Sequence, residues 1–526
     1  MFAKAGIISR PTAGGYDPDA QAFFTAAGIT DNTQKSAVNQ LVLDLKSYSI
    51  WTKMKALYPF VGGTATTHKY NLKDPQDTDA AYRLVFGGGS THASTGWLPN
   101  GSNGYCNTFF RPSSNSSLNN THISFYSRTS TISNGVRDLA AYTGNDNPSL
   151  ALGTNTGILL SDHYSYNERV SGSISDALGL FISTRINSTS HKLFKNNTLL
   201  GSNTSTNSQS LPSIYLLLGA ANINSAGSST LSISAYSNKE CAFASIGEGL
   251  SDTEAANFYT AVQTFQTTLG RQVGVPIVSD ADAQAFLNAA VITDTTQANA
   301  VNQLVTDLKG YSIWTKMKAL YPFVGGDATK HSYNLKDTTQ YQITWYGGVT
   351  HDSNGITGNA SNGYGDTNLN DNSVLSLNDA HVSIYSRTNK DALMCDIGCI
   401  TNGSNVGVNL FSKYSSGFYA RVHDDGAAGP ISNSGTSQRL FIANRVSSSE
   451  NRNYQAGVLK QQTVTSGSLT NRTILIGAFG ATSNPTSFYS DRNYSFASIG
   501  DGLTDQNMSD LTTAINTFQT TLNRNV

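Results

Sequence analysis

The sequence predicts a mainly β protein, built as two tandem antiparallel β-sandwich modules with flanking helices. Three observations predict it. Residues 48–63 read YSIWTKMKALYPFVGG, and residues 311–326 read the same. After each block come short runs of alternating polar and apolar residues, separated by Gly, Asn and Ser, which is the texture of antiparallel sandwiches. The composition also suits exposed β surface: only 13% of residues are charged, against about 25% in an ordinary globular protein, while 25 Tyr, 22 Phe and 4 Trp supply large cores.

The repeat extends in both directions from the block. Asp19-Ala-Gln-Ala-Phe answers Asp282-Ala-Gln-Ala-Phe, and His68, His92 and His122 answer His331, His351 and His381. Phe243-Ala-Ser-Ile-Gly answers Phe496-Ala-Ser-Ile-Gly. The offset between copies falls from 263 to 259 to 253, which places small deletions in the middle of the second copy. The expected organisation is an N-terminal arm at 1–15, a first module at 16–272, a linker at 273–279 and a second module at 280–526.

Each copy opens with helix signals. Asp31-x-x-Gln34 and Asp294-x-x-Gln297 fit capping boxes, and Val38, Leu41, Val42 and Leu45 form a core-facing stripe. The YSIWTKMKALYPF block predicts one more helix, stopped by Pro59 or Pro322, with Trp51, Met54, Leu57 and Tyr58 at helical spacing. Lys53 and Lys55 are then expected to face solvent or a neighbouring subunit. His122-Ile-Ser-Phe-Tyr-Ser-Arg128 alternates with period two and predicts a half-buried strand. The Ser- and Asn-rich stretches at 112–121 and 201–210 predict loops. Ser251-Asp-Thr-Glu254 is a capping box that opens a closing helix with Phe258, Val262, Phe265 and Leu269 on its apolar face.

Composition excludes several function classes. Net charge is −1 with no Lys/Arg run, so the chain does not read as a nucleic-acid binder. No apolar run reaches 18 residues, so no membrane insertion is expected. The opening Met1-Phe-Ala-Lys-Ala-Gly-Ile-Ile-Ser9 is too short in apolar length to read as a secretory signal. Cys106, Cys241, Cys395 and Cys399 have no counterparts between copies, which argues against a disulfide framework.

At this point the residues carry a resemblance. Gly101-Ser-Asn-Gly-Tyr105, Leu118-x-x-x-His-Ile-Ser-Phe-Tyr-Ser-Arg128, His191-Lys-Leu-Phe-Lys-Asn-Asn197 and Phe243-Ala-Ser-Ile-Gly-Glu-Gly-Leu-Ser-Asp-Thr-Glu254 resemble the strands of laminin-G-like, concanavalin-A-like jelly rolls. The likeness covers about two thirds of each copy. The leading helices are not part of that pattern. The shared block, the jelly roll and the FQTTLGR helix together resemble virion proteins of tailed bacteriophages infecting Bacteroidota-type hosts. That resemblance implies a place on the particle surface and other virion proteins as partners.

Candidate chemistry is sparse. A retaining glycosidase on such a sandwich needs paired carboxylates about 5–5.5 Å apart. The chain has only Glu168, Glu240, Glu248, Glu254 and Glu450, none in a Glu-x-Asp-x-Glu pattern, and Glu254 is explained as a helix cap. Asp pairs remain open for that role. The repeated histidines lack zinc-ligand spacing and read as structural. For calcium, Asp366, Asn368 and Asn370 would share one face of an extended strand and offer hard oxygen ligands. No phosphate-binding or nucleophile motif is present. For glycan binding, Trp97, Asn100, Asn103 and Tyr105 cluster within nine residues. Copy two keeps Asn362 and Tyr364 but has Ile356 in place of Trp97, which marks Trp97 as the ligand candidate and Tyr105 as packing. Trp345 reads as strand core.

The expectation is a non-enzymatic phage virion surface protein: capsid decoration, head fibre or tail component, oligomeric, in contact with host-surface glycans. No cofactor is implied beyond calcium. The alternatives are a secreted or cell-surface glycan-binding adhesin and, behind it, a polysaccharide depolymerase.

Overall fold

The computed structural model describes residues 15–143, 149–164, 169–204, 210–401, 406–426, 429–433, 435–455, 457–481 and 484–526. The arm expected at 1–15 lies outside them except for Gly15. The chain divides into two compact units between Gly274 and Val275. Each unit is a β-sandwich of an eight-stranded and a nine-stranded sheet, with helices on one side.

In the first module the eight-stranded sheet runs Thr198–Asn203, Ser190–Lys195, Gly179–Asn187, Thr121–Ser127, Cys241–Gly247, Gly96–Pro99, Ser90–Ala93, and Met54–Tyr58 also pairs with Cys241–Gly247. The facing sheet runs Val170–Ser173, Ile158–His163, Ser149–Asn155, Val136–Tyr142, Leu217–Leu218, Tyr105–Asn107, Val85–Gly87. The second module repeats this order. Its facing sheet runs Thr344–Tyr346, Tyr364–Asn370, Thr473–Ile476, Ile397–Ile400, Gly407–Tyr414, Gly417–Val422, Ile431–Ser432. Almost every pairing is antiparallel, and strands far apart in sequence lie side by side, which is jelly-roll connectivity.

Alternation sorts side chains between two cores. Ile123, Phe125, Phe181, Leu193 and Ala244 point into the sandwich. Their sequence neighbours Tyr126, Ile182, Phe194 and Phe243 point the other way, onto the helices. Those helices are Pro18–Ala27, Asn32–Ser47 and Asp252–Thr268, which bury Phe23, Val38, Leu41, Phe258 and Phe265 on the sheet. Each such side chain contributes about 1.5–3 kcal/mol. Thr121–Ser127 is therefore buried on both faces, where the sequence predicted a half-buried strand. Period-two alternation shows two faces; it does not show that a helical layer covers the second.

The shared block corrects the sequence reading more directly. It is not a helix. Trp51–Lys53 makes one tight turn, and Met54–Tyr58 is a strand paired with Cys241–Gly247. A bulge at Lys55 shifts the register between Met54 and Ala56. As a result Met54 and Leu57 face the helices, while Ala56 and Tyr58 face the sandwich interior. A spacing of three imitated a helical stripe. Lys53 is not a free surface lysine either: its Nζ lies 2.6 Å from Glu254 and donates to the Gly249 carbonyl at 3.2 Å. Glu254 also completes the capping box with Ser251, so one carboxylate ties the block to the closing helix.

Other loops differ in detail. Pro112–Asn115 forms a helical turn, and Gly201–Asn203 ends a strand, with 205–209 outside the described residues. The stretch expected as a linker is anchored at both ends. Val273 packs on the first module's helical core, and Val275 and Val278 on the second's. All four cysteines are free and buried.

One buried charge closes each module. Arg271, just past the last helix, is buried, and its guanidinium donates to the carbonyls of Pro59 (2.6 Å), Phe60 (2.8 Å), Ser94 (3.1 Å) and Ala242 (2.9 Å). Its Nε donates to Gln266 Oε1 at 2.6 Å. Arg524 repeats the arrangement on Pro322, Phe323, Ser495 and Gln519. Burial pushes both guanidinium groups down to about 9, so they stay charged at neutral pH. Five donors in a planar fork match carbonyls on three separate segments, which a lysine does not.

Arg271→Met is expected to destabilise the first module by about 3 kcal/mol or more, because several charge-assisted bonds to buried carbonyls are lost together. Arg271→Lys is expected to recover less than half. Denaturant unfolding measures this directly, with the second module's transition as the internal reference. An Arg271→Met chain that unfolds at the wild-type midpoint would refute the clamp.

Candidate functional site

The structure separates the residues that the sequence grouped. Trp97 is not in a loop. It sits on the strand Gly96–Pro99, fully buried, with its ring stacked 6.5 Å from Phe60 and tilted 5.8 Å from Phe86. The absence of a Trp at Ile356 has a packing cause. Trp97 pairs across the hairpin with His92, and Ile356 pairs with His351. From the facing sheet, Phe86 lies 4.5 Å from His92 and Trp345 lies 4.7 Å from His351. A large and a small side chain have exchanged places, and core volume is conserved. Trp97 is thereby corrected from ligand candidate to core residue.

Asn100 and Asn103 shape a turn. Asn100 Oδ1 accepts from the backbone N–H groups of Ser102, Asn103 and Gly104, each at 3.0 Å. Its amide donates to Asn103 Oδ1 at 2.8 Å, which also accepts from Gly89 N–H at 2.8 Å. Asn359 and Asn362 repeat these bonds. Local hydrogen bonding accounts for both asparagines. Tyr105 follows on the strand Tyr105–Asn107 and packs over Gly87.

The calcium trio does not converge. Asn368 adopts φ +55°, so the strand is not extended there and the three side chains do not share a face. Asp366 accepts from Asn368 N–H at 2.8 Å and from Thr473 Oγ1 at 3.0 Å. Asn368 turns its amide nitrogen to the Gln342 carbonyl, and Asn370 bonds Asn471. No cluster of three His, Cys, Asp or Glu positioned for a metal ion occurs among the described residues.

The histidines meet in an arrangement the sequence did not reveal. His68 Nδ1 lies 3.0 Å from His92 Nδ1, and His68 Nε2 accepts from Gly63 N–H at 3.2 Å. Because Nε2 accepts, His68 carries its proton on Nδ1 and donates it to His92. His331, His351 and Gly326 repeat the relay at 3.1 and 3.2 Å. His122 lies apart, between the Glu248 carbonyl and Ser245 Oγ. Burial pushes His68 and His331 down to about 3, and His122 and His381 down to about 4.

The helices cover one sheet of each sandwich, so the outer face of the other is the broad surface left open. In the first module this face is small and polar: Ala140, Ala151 and Ala221 form its centre, with Asp162 bonded to Arg169 and Tyr142 beside them. In the second module the same face carries a groove of about 210 Å³. Phe411, Tyr419, Phe479 and Phe488 wall it, and Asn409 and Arg421 supply polar groups. Phe479 and Phe488 stack at 5.1 Å with planes 6° apart. Phe411 stands edge-on to Phe488 at 5.9 Å and to Tyr419 at 6.1 Å. Asn409 is largely buried and lines the groove. Register shows what changed between copies: Phe411 replaces Gly153, Tyr419 replaces Leu160, Asn409 replaces Ala151 and Arg421 replaces Asp162.

A buried ion pair beneath the face positions one wall. In the first module it is Asp138 with Lys239 at 3.1 Å, and in the second Asp396 with Arg492 at 3.0 Å. The second guanidinium also donates to the carbonyls of Lys390, Ala392, Met394 and Lys413. It thereby pins the loop carrying Leu393 at the groove's edge. Sequence reasoning missed the groove because it looked for an unmatched aromatic inside one polar loop, and these aromatics come from separate segments of the chain. The signal was aromatics on strands where only one copy has them.

No protein family matches the chain, and no curated protein does. Among solved structures it is similar to domain 4 of an extracellular GH43 arabinanase from Geobacillus stearothermophilus in complex with arabinotriose, at 12% identity over 39% of this chain and 98% of that one, TM-score 0.23. It is similar to domains LG4-5 of the mouse laminin α1 chain at 10% identity over 74% and 86%, TM-score 0.22. A third is the CBM40 of the Ruminococcus gnavus IT-sialidase bound to α2,3-sialyllactose, at 15% identity over 26% and 80%, TM-score 0.20. The jelly-roll assignment rests on the strand order given above.

Two outcomes follow for stability. The buried histidines are neutral when folded and ordinary, near 6.5, when unfolded. The unfolded chain therefore binds more protons below pH 6.5, and stability is lost as pH falls from 6.5 toward 3–4, by about 1.4 kcal/mol per pH unit for each histidine. Denaturant midpoints between pH 8 and pH 4 test this, and a flat profile would contradict the neutral relay. Trp97→Ala is expected to cost the first module about 3–5 kcal/mol and leave ligand binding untouched.

Proposed function

We propose that this chain is a non-enzymatic glycan-binding protein of a tailed-phage particle surface, with its binding site on the open sheet face of the second module. The observation that carries the glycan reading is the aromatic groove. Sugar rings present apolar C–H faces and polar edges, and Phe411 and Tyr419 beside Asn409 and Arg421 offer complements to both. The first module supports the same reading by contrast. It folds on the same scaffold with Gly153 and Leu160 in place of those aromatics, so the fold itself does not require them.

The glutamates with described partners serve structure. Glu254 caps a helix and pairs with Lys53, Glu240 pairs with Arg128, and Glu450 lies beside Arg452. Glu168 lies outside the described residues. Among the described residues no carboxylate lines the groove. That supports binding over cleavage. The particle setting rests on the sequence resemblance of the repeated block. Many copies on one particle would turn a weak single-site affinity into firm attachment. The same groove would serve a secreted adhesin equally well.

Mass spectrometry of gradient-purified particles tests the setting: stoichiometric enrichment is expected, and recovery only from the soluble fraction would favour the adhesin. A glycan array with the full chain tests the site. Phe411→Ala and Tyr419→Ala are each expected to weaken glycan capture about tenfold or more, about 1.4 kcal/mol, with thermal unfolding little changed. Capture that survives both substitutions would move the site elsewhere.

A further inference from the structure

The groove is one end of a longer aromatic row. On the same face Tyr346 stacks on Tyr364 with centroids 4.9 Å apart and planes 14° apart, and Tyr489 lies 6.1 Å from Tyr364. Tyr489 adjoins Phe488, which stacks on Phe479 at the groove wall. The row follows the strand order of the sheet, from Thr344–Tyr346 to Gly417–Val422, and so runs across the strands. The five spacings between those strands, at about 4.8 Å each, span about 24 Å. That is the length of several pyranose rings end to end.

Two features select the occupant. Tyr346 is 45% exposed, and its first-module counterpart by register is Gly87, so the ring is an addition to the scaffold and not part of its core. Among the described residues, the groove lining carries one charge, the Arg421 guanidinium, and no carboxylate. Asp424, which interacts electrostatically with Arg421, is buried below the surface and accepts from Gly426 N–H at 2.8 Å. The groove end of the row thus complements negative charge, and the rest presents flat ring faces.

We propose that the row from Tyr346 to Tyr419 is a single cleft for an extended acidic polysaccharide, with an anionic sugar at Arg421 and further units of the same chain laid over the tyrosines. The inference rests on the glycan-binding reading and adds the class and length of the ligand. A protein partner would need neither a regular row of rings nor a ligand of repeating length.

The test uses the full chain and oligosaccharide ladders, from disaccharide to hexasaccharide, of polygalacturonate, alginate, hyaluronate and polysialate, with cello-oligosaccharides as the neutral ladder. At least one acidic ladder is expected to gain about tenfold in affinity from disaccharide to hexasaccharide. Tyr346→Ala is expected to erase that gain and spare the disaccharide, and Arg421→Gln to weaken every length and flatten the salt dependence. Unchanged thermal unfolding confirms that both variants fold. Affinity independent of length, or a Tyr346→Ala chain that keeps the gain, would overturn the extended cleft and leave the groove reading intact. A neutral ladder bound as tightly as any acidic one would overturn the acidic assignment. Failure of every ladder, with capture of a particle protein at the row instead, would overturn this inference and the glycan reading together.

Discussion

Everything on the open face depends on what holds the other face closed. A buried guanidinium at the end of each module, Arg271 or Arg524, reaches the end of the shared block and the last strand at once. It has no carboxylate among its bonded partners; carbonyl dipoles and one glutamine satisfy it. Leaving such a group without partners inside a protein would cost several kcal/mol, so the three segments are bound to one geometry or to none. The helices are thereby fixed on one sheet. The facing sheet is left as the surface that substitution can remodel without disturbing the closure.

The two copies show that remodelling in detail. Their supporting polar contacts answer one another, down to the histidine relay and the asparagine turn. Even the buried ion pair is kept, as Asp138–Lys239 and Asp396–Arg492. The change from Lys to Arg is chemically conservative but structurally not so, since the fork adds bonds to four carbonyls and holds a loop at the groove. A duplicated scaffold has kept its supports and altered one face.

The fold was legible in the sequence to the extent that it follows from periodicity and caps. The capping box at Ser251, the stripe Val38–Leu45 and the alternation of 122–128 each locate a real element. The block at 48–63 was misread because a β-bulge at Lys55 places Met54 and Leu57 on one side, three residues apart, as a helix would. The site was less legible. Trp97 stood out as unmatched, yet it balances Phe86 against Trp345 and Ile356, a trade between strands that no local pattern records. Phe411 and Tyr419 come together only through cross-strand register. Neighbours across a sheet are set by topology, and topology is what one sequence expresses least directly.

The repeated block has a consequence for synthesis. Met54–Tyr58 pairs with a strand that contains Phe243-Ala-Ser-Ile-Gly247, and the second copy supplies an identical pair of segments, Met317–Tyr321 and Phe496-Ala-Ser-Ile-Gly500. By sequence alone each block can zip onto either partner. A chain emerging from the ribosome meets no such ambiguity, since the first module's closing strand is made before the second block exists, and domains fold in that order. Renaturation from denaturant presents all four segments at once. The order of translation is thus part of what pairs these strands correctly, and the duplication that doubled the scaffold also made its faithful assembly depend on direction in time.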